Sequence, residues 1–219
     1  MDRQGRSNAD GQRLGARFTV GFDLDMTLID PRPGMIAAMD ALAAQTGLPL
    51  DGAYFADNLG PPLHLVFRDF GAPEDRIPEL VSRFRATYPE IVIPETVPMP
   101  GAAAALDAVH ELGGHTLVVT AKHEPNAARH LTALGWEVDH LVGDLWAAGK
   151  AAALREHEAL AYVGDHATDV AGALAAGAVP VGVTTGPCDA DMLTEAGAGI
   201  VLSTLDEFPA WLRGHLCAT

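Results

Sequence analysis

From Pro100 onward the sequence alternates, segment by segment, between amphipathic runs of helix length and apolar runs of strand length. "GAAAALDAVHELGG" has helical spacing, and "HTLVVTA" is a β-branched apolar run. The pattern repeats through "EPNAARHLTALG", the weaker strand "EVDHLVGD", "GKAAALREHE", "ALAYVGD", "ATDVAGALAAG" and "AVPVGVTTG". It ends in "DADMLTEAGA", "GIVLS" and "LDEFPAWL". A chain that alternates in this way has little choice of architecture. Each strand must reach the next through a crossover helix, and crossovers of one hand give a parallel sheet covered on both faces.

One strand of the same kind stands earlier, in "RFTVGFDLD", far from the rest of the series. Between it and Pro100 the texture changes. "PGMIAAMDALAAQTG" starts on a proline and stops on Gly47, as helices do. "PPLHLVFRDFG" and "PEDRIPELVSRFRATYPEI" carry the same spacing, and no convincing strand interrupts them. The expectation is an α/β, Rossmann-like parallel-sheet core formed by residues 18–30 and 99–219, with an all-helical cap domain over 31–98 inserted after the first strand. Residues 1–17, polar and without the apolar stretch of a signal peptide, read as a disordered tail.

In open α/β sheets ligands bind beyond the carboxyl ends of the strands, so the residues at those tips matter most. The first strand ends in Asp23 and Asp25, with Thr27 two residues on. "HTLVVTA" ends in Thr120 and Ala121, followed by Lys122; Lys150 opens a helix; "ALAYVGD" ends in Asp165, with His166 and Asp169 after it. Acids this close repel unless a cation sits among them or one holds a proton. Asp23, Asp25, Asp165 and Asp169 form a hard-oxygen set that suits Mg²⁺ rather than zinc. A threonine hydroxyl, a lysine and loop N–H groups can hold a phosphoryl group beside it, and a carboxylate can then attack phosphorus while its neighbour moves the proton.

Charge narrows the partners. A formal net charge of -15 gives no global attraction for nucleic acid or anionic lipid, and no segment is long and apolar enough to span a membrane. Cys188 and Cys217 lie in no metal-ligand spacing and are too few for a disulfide framework, which fits reduced thiols in a cytoplasmic protein. An anionic substrate would need a locally positive site. Oligomeric state is not readable from the sequence.

"FDLDMTLID", "VVTAK", "GK" and "YVGDHATDV", in that order, resemble the four motifs of the haloacid dehalogenase superfamily of phosphohydrolases. The helical insertion falls where members with a C1 cap carry it. "NLGPPLHLVF" and the re-entry segment "YPEIVIPETVPMPGAAAALDAVHELGGHTLVVTAKH" are similar to the phosphoglycolate-phosphatase-like branch. The resemblance implies a Mg²⁺-dependent phosphatase of a small phosphorylated metabolite. It makes Asp23 the nucleophile and Asp25 the general acid/base. Asp23, the Asp25 backbone carbonyl and Asp165 would bind the metal, with Asp169 a further ligand or a supporting partner. Thr120, Ala121 and Lys150 would bind phosphate.

Two features depart from the family pattern. Met26 stands where glycine is usual, and the stretch from Lys150 to Asp165 is short, with no proline after the lysine. Lys122 is therefore the alternative cation, although it is expected beside the site more than in it. Thr27 and His166 are further candidates, His166 chiefly as a loop side chain. His64 and Arg68 read as a solvated helix face, and Trp136, Trp146 and Trp211 as packing residues. Two other functions are compatible with the same residues: a phosphomutase working through an aspartyl phosphate, and a non-catalytic phosphate-binding regulator. An acid at Asp25 disfavours a dehalogenase, since members that cleave carbon–halogen bonds lack it.

Overall fold

The computed structural model describes residues 18–218; the N-terminal segment read as a disordered tail lies outside them. In chain order the elements are β1 (Thr19–Phe22), β2 (Ile29–Asp30), α1 (Arg32–Thr46), α2 (Gly52–Asp57), α3 (Leu63–Asp69), α4 (Ile77–Ala86) and β3 (Val97–Pro98). There follow α5 (Ala102–Glu111), β4 (His115–Val119), α6 (Glu124–Leu134), β5 (His140–Val142), α7 (Ala148–Glu156) and β6 (Ala159–Gly164). The chain finishes with α8 (Ala167–Ala176), β7 (Val179–Val183), α9 (Ala190–Glu195), β8 (Ile200–Leu202) and α10 (Phe208–Ala218).

Six strands form one sheet in the order β5-β4-β1-β6-β7-β8, and every neighbouring pair is parallel. The architecture expected from the alternation is the one observed. Period-two side-chain direction sorts the strand residues onto two faces. Val20, Phe22, Val118, Ala161 and Val163 point into one core with Leu106, Phe208 and Leu212. Leu117, Val119 and Tyr162 point into the other with Leu154 and Ala173. Gly21 sits mid-strand because a Cβ there would lie 2.8 Å from both Leu154 and Tyr162.

The inserted helices bury a separate cluster that includes Met35, Met39, Leu42, Phe55, Phe67, Leu80, Phe84 and Tyr88. The entry and exit of this region do contain strands, contrary to the sequence reading. Ile29–Asp30 and Val97–Pro98 pair antiparallel, with Ile29 opposite Pro98 and Asp30 opposite Val97. Two residues a side are too few to show alternation, and Pro98 hides the second strand further. The helix α2 was also not foreseen; Asp51 caps it by accepting from the Tyr54 N–H at 2.9 Å.

Candidate active site

β1 is the central strand of the motif-bearing half, between β4 and β6, so its carboxyl end lies between theirs. The Asp23 N–H still belongs to the ladder, donating to the Val163 carbonyl at 2.9 Å. The chain then turns tightly: the Leu28 and Ile29 N–H groups both reach back to the Leu24 carbonyl, at 2.8 and 3.0 Å. Met26 takes a left-handed conformation in this turn, with φ 60. That explains the family glycine at this position, since glycine adopts positive φ without steric cost. Methionine carries a cost of about 1–2 kcal/mol there. Its side chain is 4% exposed and packs into the cluster of the inserted helices, which offsets that cost.

Asp23, Asp25, Thr120, Ala121, Lys150, Asp165, His166 and Asp169 all line one small cavity of about 20 Å³. Residues from four separate stretches of sequence thus converge on one point. Lys150 is 1% exposed, not a solvated helix charge. Its Nζ donates to Asp23 Oδ1 at 2.9 Å and Asp169 Oδ1 at 2.7 Å. Asp169 uses its other oxygen to accept from the His166 N–H at 3.2 Å. His166 in turn caps α8, its Nδ1 accepting from the Thr168 N–H at 3.1 Å. So His166 has a structural task, and its ring also faces the cavity.

Thr27 is fully buried and donates from Oγ1 to Asp165 Oδ1 at 2.7 Å. The opposite side of Asp165 rests against Gly186, where any Cβ would collide with Oδ2. Gly164 has the same role for Asp169, since a Cβ there would lie 2.5 Å from Asp169 Oδ2. Thr120 accepts the Lys122 N–H on its hydroxyl at 3.2 Å.

Asp25 belongs to a different arrangement. Its Oδ2 is 3.0 Å from Lys122 Nζ, which also donates to the Tyr88 hydroxyl at 2.9 Å. Asp25 Oδ1 is buried without a partner. Lys122 therefore does not replace Lys150; it lies beside the small cavity and holds the second acid. Tyr88, from the inserted helical region, had no sequence signal beyond its helical spacing.

Burial and like charge shift the acids together. Asp23 is pushed up to about 6 by burial, with Lys150 opposing and Asp169 adding to the rise. Burial raises Asp25 against the pull of Lys122. Asp165 is held well above the usual carboxylate range by burial and by Asp169 and Asp23. Burial alone would lower Lys150, yet Asp169 and Asp23 carry it well above the ordinary lysine value.

Oxygens of Asp23, Asp165 and Asp169 lie within 4.8 Å of one another. One ammonium among three carboxylates leaves the group short of positive charge. Asp165 in particular has a hydroxyl for a partner and no cation. An all-carboxylate set with surplus negative charge fits a hard divalent ion. The Asp25 carboxylate is outside this group.

A second cavity, of about 200 Å³, shares Asp25, Leu59, Gly60 and Ala121 with the first. Its walls come from both regions, with Phe55, His64 and Tyr88 on one side and His123, Asn126 and Asp144 on the other. His64 is exposed at this cavity's edge, while Arg68 pairs outward with Glu74 at 2.6 Å. Trp146 is not a plain packing residue: it is half-buried in the wall of the small cavity, 5.8 Å from the His166 ring and against Gly60. Trp136 and Trp211 pack on the core as expected.

The haloacid dehalogenase-like hydrolase family pattern matches residues 19–177. The chain belongs to that family. A phosphoglycolate phosphatase of Neisseria meningitidis is 31% identical, over 90% of this chain and 89% of its own length. One from Caulobacter vibrioides is 30% identical, over 87% and 89%. A haloacid dehalogenase-like hydrolase family protein of Streptococcus pneumoniae has the same fold, with TM-score 0.76, 22% identity, and coverage of 91% and 98%. The protein is a phosphatase of this family, a phosphoric monoester hydrolase. Among the described residues, no helix is long and apolar enough to cross a membrane.

Proposed function

We propose that the chain is a Mg²⁺-dependent phosphatase of a small phosphorylated metabolite, of the phosphoglycolate type, working through an aspartyl phosphate on Asp23. The observation that carries this reading is the division of the two neighbouring acids. Asp23 sits with Lys150 and the acid cluster, while Asp25, two residues on, is turned to Lys122 with one oxygen free. Two carboxylates in different environments suit two roles.

Asp23, Asp165 and Asp169 would hold the ion, with the Asp25 backbone carbonyl a further ligand. When bound, it would neutralise the surplus charge of the acids and draw electron density from the phosphoryl oxygens. Lys150 adds a fixed positive charge, and Thr120 with the Ala121 N–H lines the place of the phosphoryl oxygens. Asp23 forms a bond to phosphorus as the ester oxygen departs. Asp25, its proton favoured by burial, gives that proton to the leaving oxygen from Oδ1. The same oxygen then takes a proton from the water that hydrolyses the acyl phosphate, returning Asp23.

The test is release of phosphate from p-nitrophenyl phosphate with added MgCl2. Asp23→Asn is expected to lower kcat by on the order of 10⁴-fold or more. Asp25→Asn is expected to lower it by about 10²–10⁴-fold, while vanadate still binds within a few-fold of wild type. Activity that persists in Asp23→Asn, or in EDTA, overturns the mechanism.

A further inference from the structure

The small cavity that would receive the phosphoryl group is lined by Asp23, Asp25, Asp165 and Asp169. Lys150 is the one ammonium on that wall, and it already donates to Asp23 and Asp169. The oxygens of a phosphoryl dianion only accept, so each further N–H on the wall adds a hydrogen bond to a charged group. His166, which lines the same cavity, supplies one.

The tautomer of this imidazole is set by its own helix. His166 has extended backbone angles, φ -123 and ψ 148, at the N-cap of α8. The Thr168 N–H donates to Nδ1 at 3.1 Å, and the Thr168 hydroxyl lies 2.9 Å from the same nitrogen. A backbone N–H can only donate, so Nδ1 gives its lone pair to the cap and the ring proton sits on Nε2. The ring therefore offers the cavity an N–H and no lone pair. It cannot be a ligand of a cation, and it suits a phosphoryl oxygen. Among the described residues nothing in the protein accepts from Nε2. The two ring nitrogens of His130 are sealed in the interior, whereas His166 is half-buried and its Nε2 keeps accessible surface. Trp146 limits the swing of the ring, with centroids 5.8 Å apart and a 46° tilt. Gly60 makes room for that indole, since a Cβ there would lie 3.2 and 3.3 Å from it.

We propose that His166 donates from Nε2 to a phosphoryl oxygen of the substrate, a binding residue alongside Thr120, Ala121 and Lys150. The α8 cap selects the tautomer that makes this donor, and Trp146 keeps the ring turned to the cavity. One side chain thus does two separable things: Nδ1 holds the helix and Nε2 holds the substrate. The assignment rests on the reaction proposed above.

Two substitutions pull these tasks apart. Asparagine puts an acceptor where Nδ1 stands and is among the best N-caps, but its amide stops short of the Nε2 position. Glutamine reaches the Nε2 position with an N–H and is not a favoured cap. Binding of inorganic phosphate is measured by calorimetry with MgCl2 present, beside Tm and kcat/KM on p-nitrophenyl phosphate. His166→Asn is expected to keep Tm near wild type, to weaken phosphate by roughly tenfold or more, and to lower kcat/KM by a similar factor. His166→Gln is expected to lower Tm by roughly 2–4 °C and to bind phosphate within a few-fold of wild type. A residue that only caps the helix gives the reverse order, with phosphate binding intact in His166→Asn. That result overturns the proposal, and so does equal weakening in both variants. Phosphate binding in the expected order, in a protein that releases no phosphate from p-nitrophenyl phosphate, upholds the donor and defeats the reaction proposed above. Wild type that neither binds phosphate nor turns over the ester defeats both.

Discussion

Two buried lysines lie at the carboxyl ends of the strands, and they are solved in opposite ways. Lys150 stands among Asp23, Asp165 and Asp169, all on the α/β core, and is outnumbered by them. Lys122 meets one acid, Asp25, and a neutral phenol, Tyr88, that comes from the inserted helices. The first cluster is complete within the core but deficient in positive charge. The second is balanced in charge but complete only when the two regions are together. The difference separates the parts that a phosphoryl group needs from the part that a proton donor needs. It also ties Asp25, through Tyr88, to the wall of the wider cavity.

The comparison can be broken by removing each cation. Lys150→Met leaves three buried carboxylates without a counter-charge, and removing one partner of a buried pair typically costs about 3–5 kcal/mol. If the cluster is a cation site, millimolar MgCl2 should restore much of that loss. Thermal unfolding with and without MgCl2 measures it, and the rise in Tm should be larger for the variant than for wild type. Equal rises in both would separate Lys150 from the ion. Lys122→Met should behave otherwise. Its acid can neutralise itself by holding a proton, so MgCl2 should give no extra rise. Its kcat on p-nitrophenyl phosphate should fall by roughly 10–100-fold, since Asp25 loses the group that orients it. An Mg²⁺ rescue of Lys122→Met as large as that of Lys150→Met would erase the distinction.

The same comparison shows what a sequence can carry. The Lys150 cluster is legible because Asp23 and Asp165 stand at the ends of apolar strands, with Asp169 in the first turn of the helix after the second, and parallel sheets gather such ends. Even so, a lysine near a helix start is ordinarily a solvated charge, and only the fold reveals Lys150 as buried. The short stretch from Lys150 to Asp165 raised doubt, yet α7 followed directly by β6 is enough to return the chain to the site. Met26 seemed an anomaly, and its positive φ and its burial among the inserted helices answer both halves of it. The wider cavity was not legible. Tyr88, Asn126 and Arg85 sit on helices as ordinary members of an amphipathic pattern. What brings them to one cavity wall is which helix face meets which, and periodicity does not record that. Trp146 was missed for a similar reason: a lone tryptophan after a weak strand reads as packing until Gly60 is found opposite it.

The smallest expected effect concerns a group found only behind Lys122. His130 is fully buried, its ring lies 5.8 Å from that of Tyr88, and neither ring nitrogen has a partner. Burial, with a contribution from Lys122, pushes its pKa down to about 2. The folded state thus keeps His130 neutral, while the unfolded chain takes up a proton below about pH 6.5. Between pH 6.5 and pH 2 the unfolded state binds more protons, so this residue's share of stability is complete above pH 6.5 and declines on acidification. At about 1.4 kcal/mol per pH unit, the loss by pH 5 reaches up to roughly 2 kcal/mol. His130→Leu removes that proton and two unpaired nitrogens, so it should leave stability near wild type at pH 7.5 and flatten the decline below 6.5. Urea unfolding of both proteins at pH 7.5, 6.5 and 5 decides the matter. Parallel declines would mean that His130 finds a proton-holding partner in the folded state, and that the Lys122 side of the site is no drier than the Lys150 side.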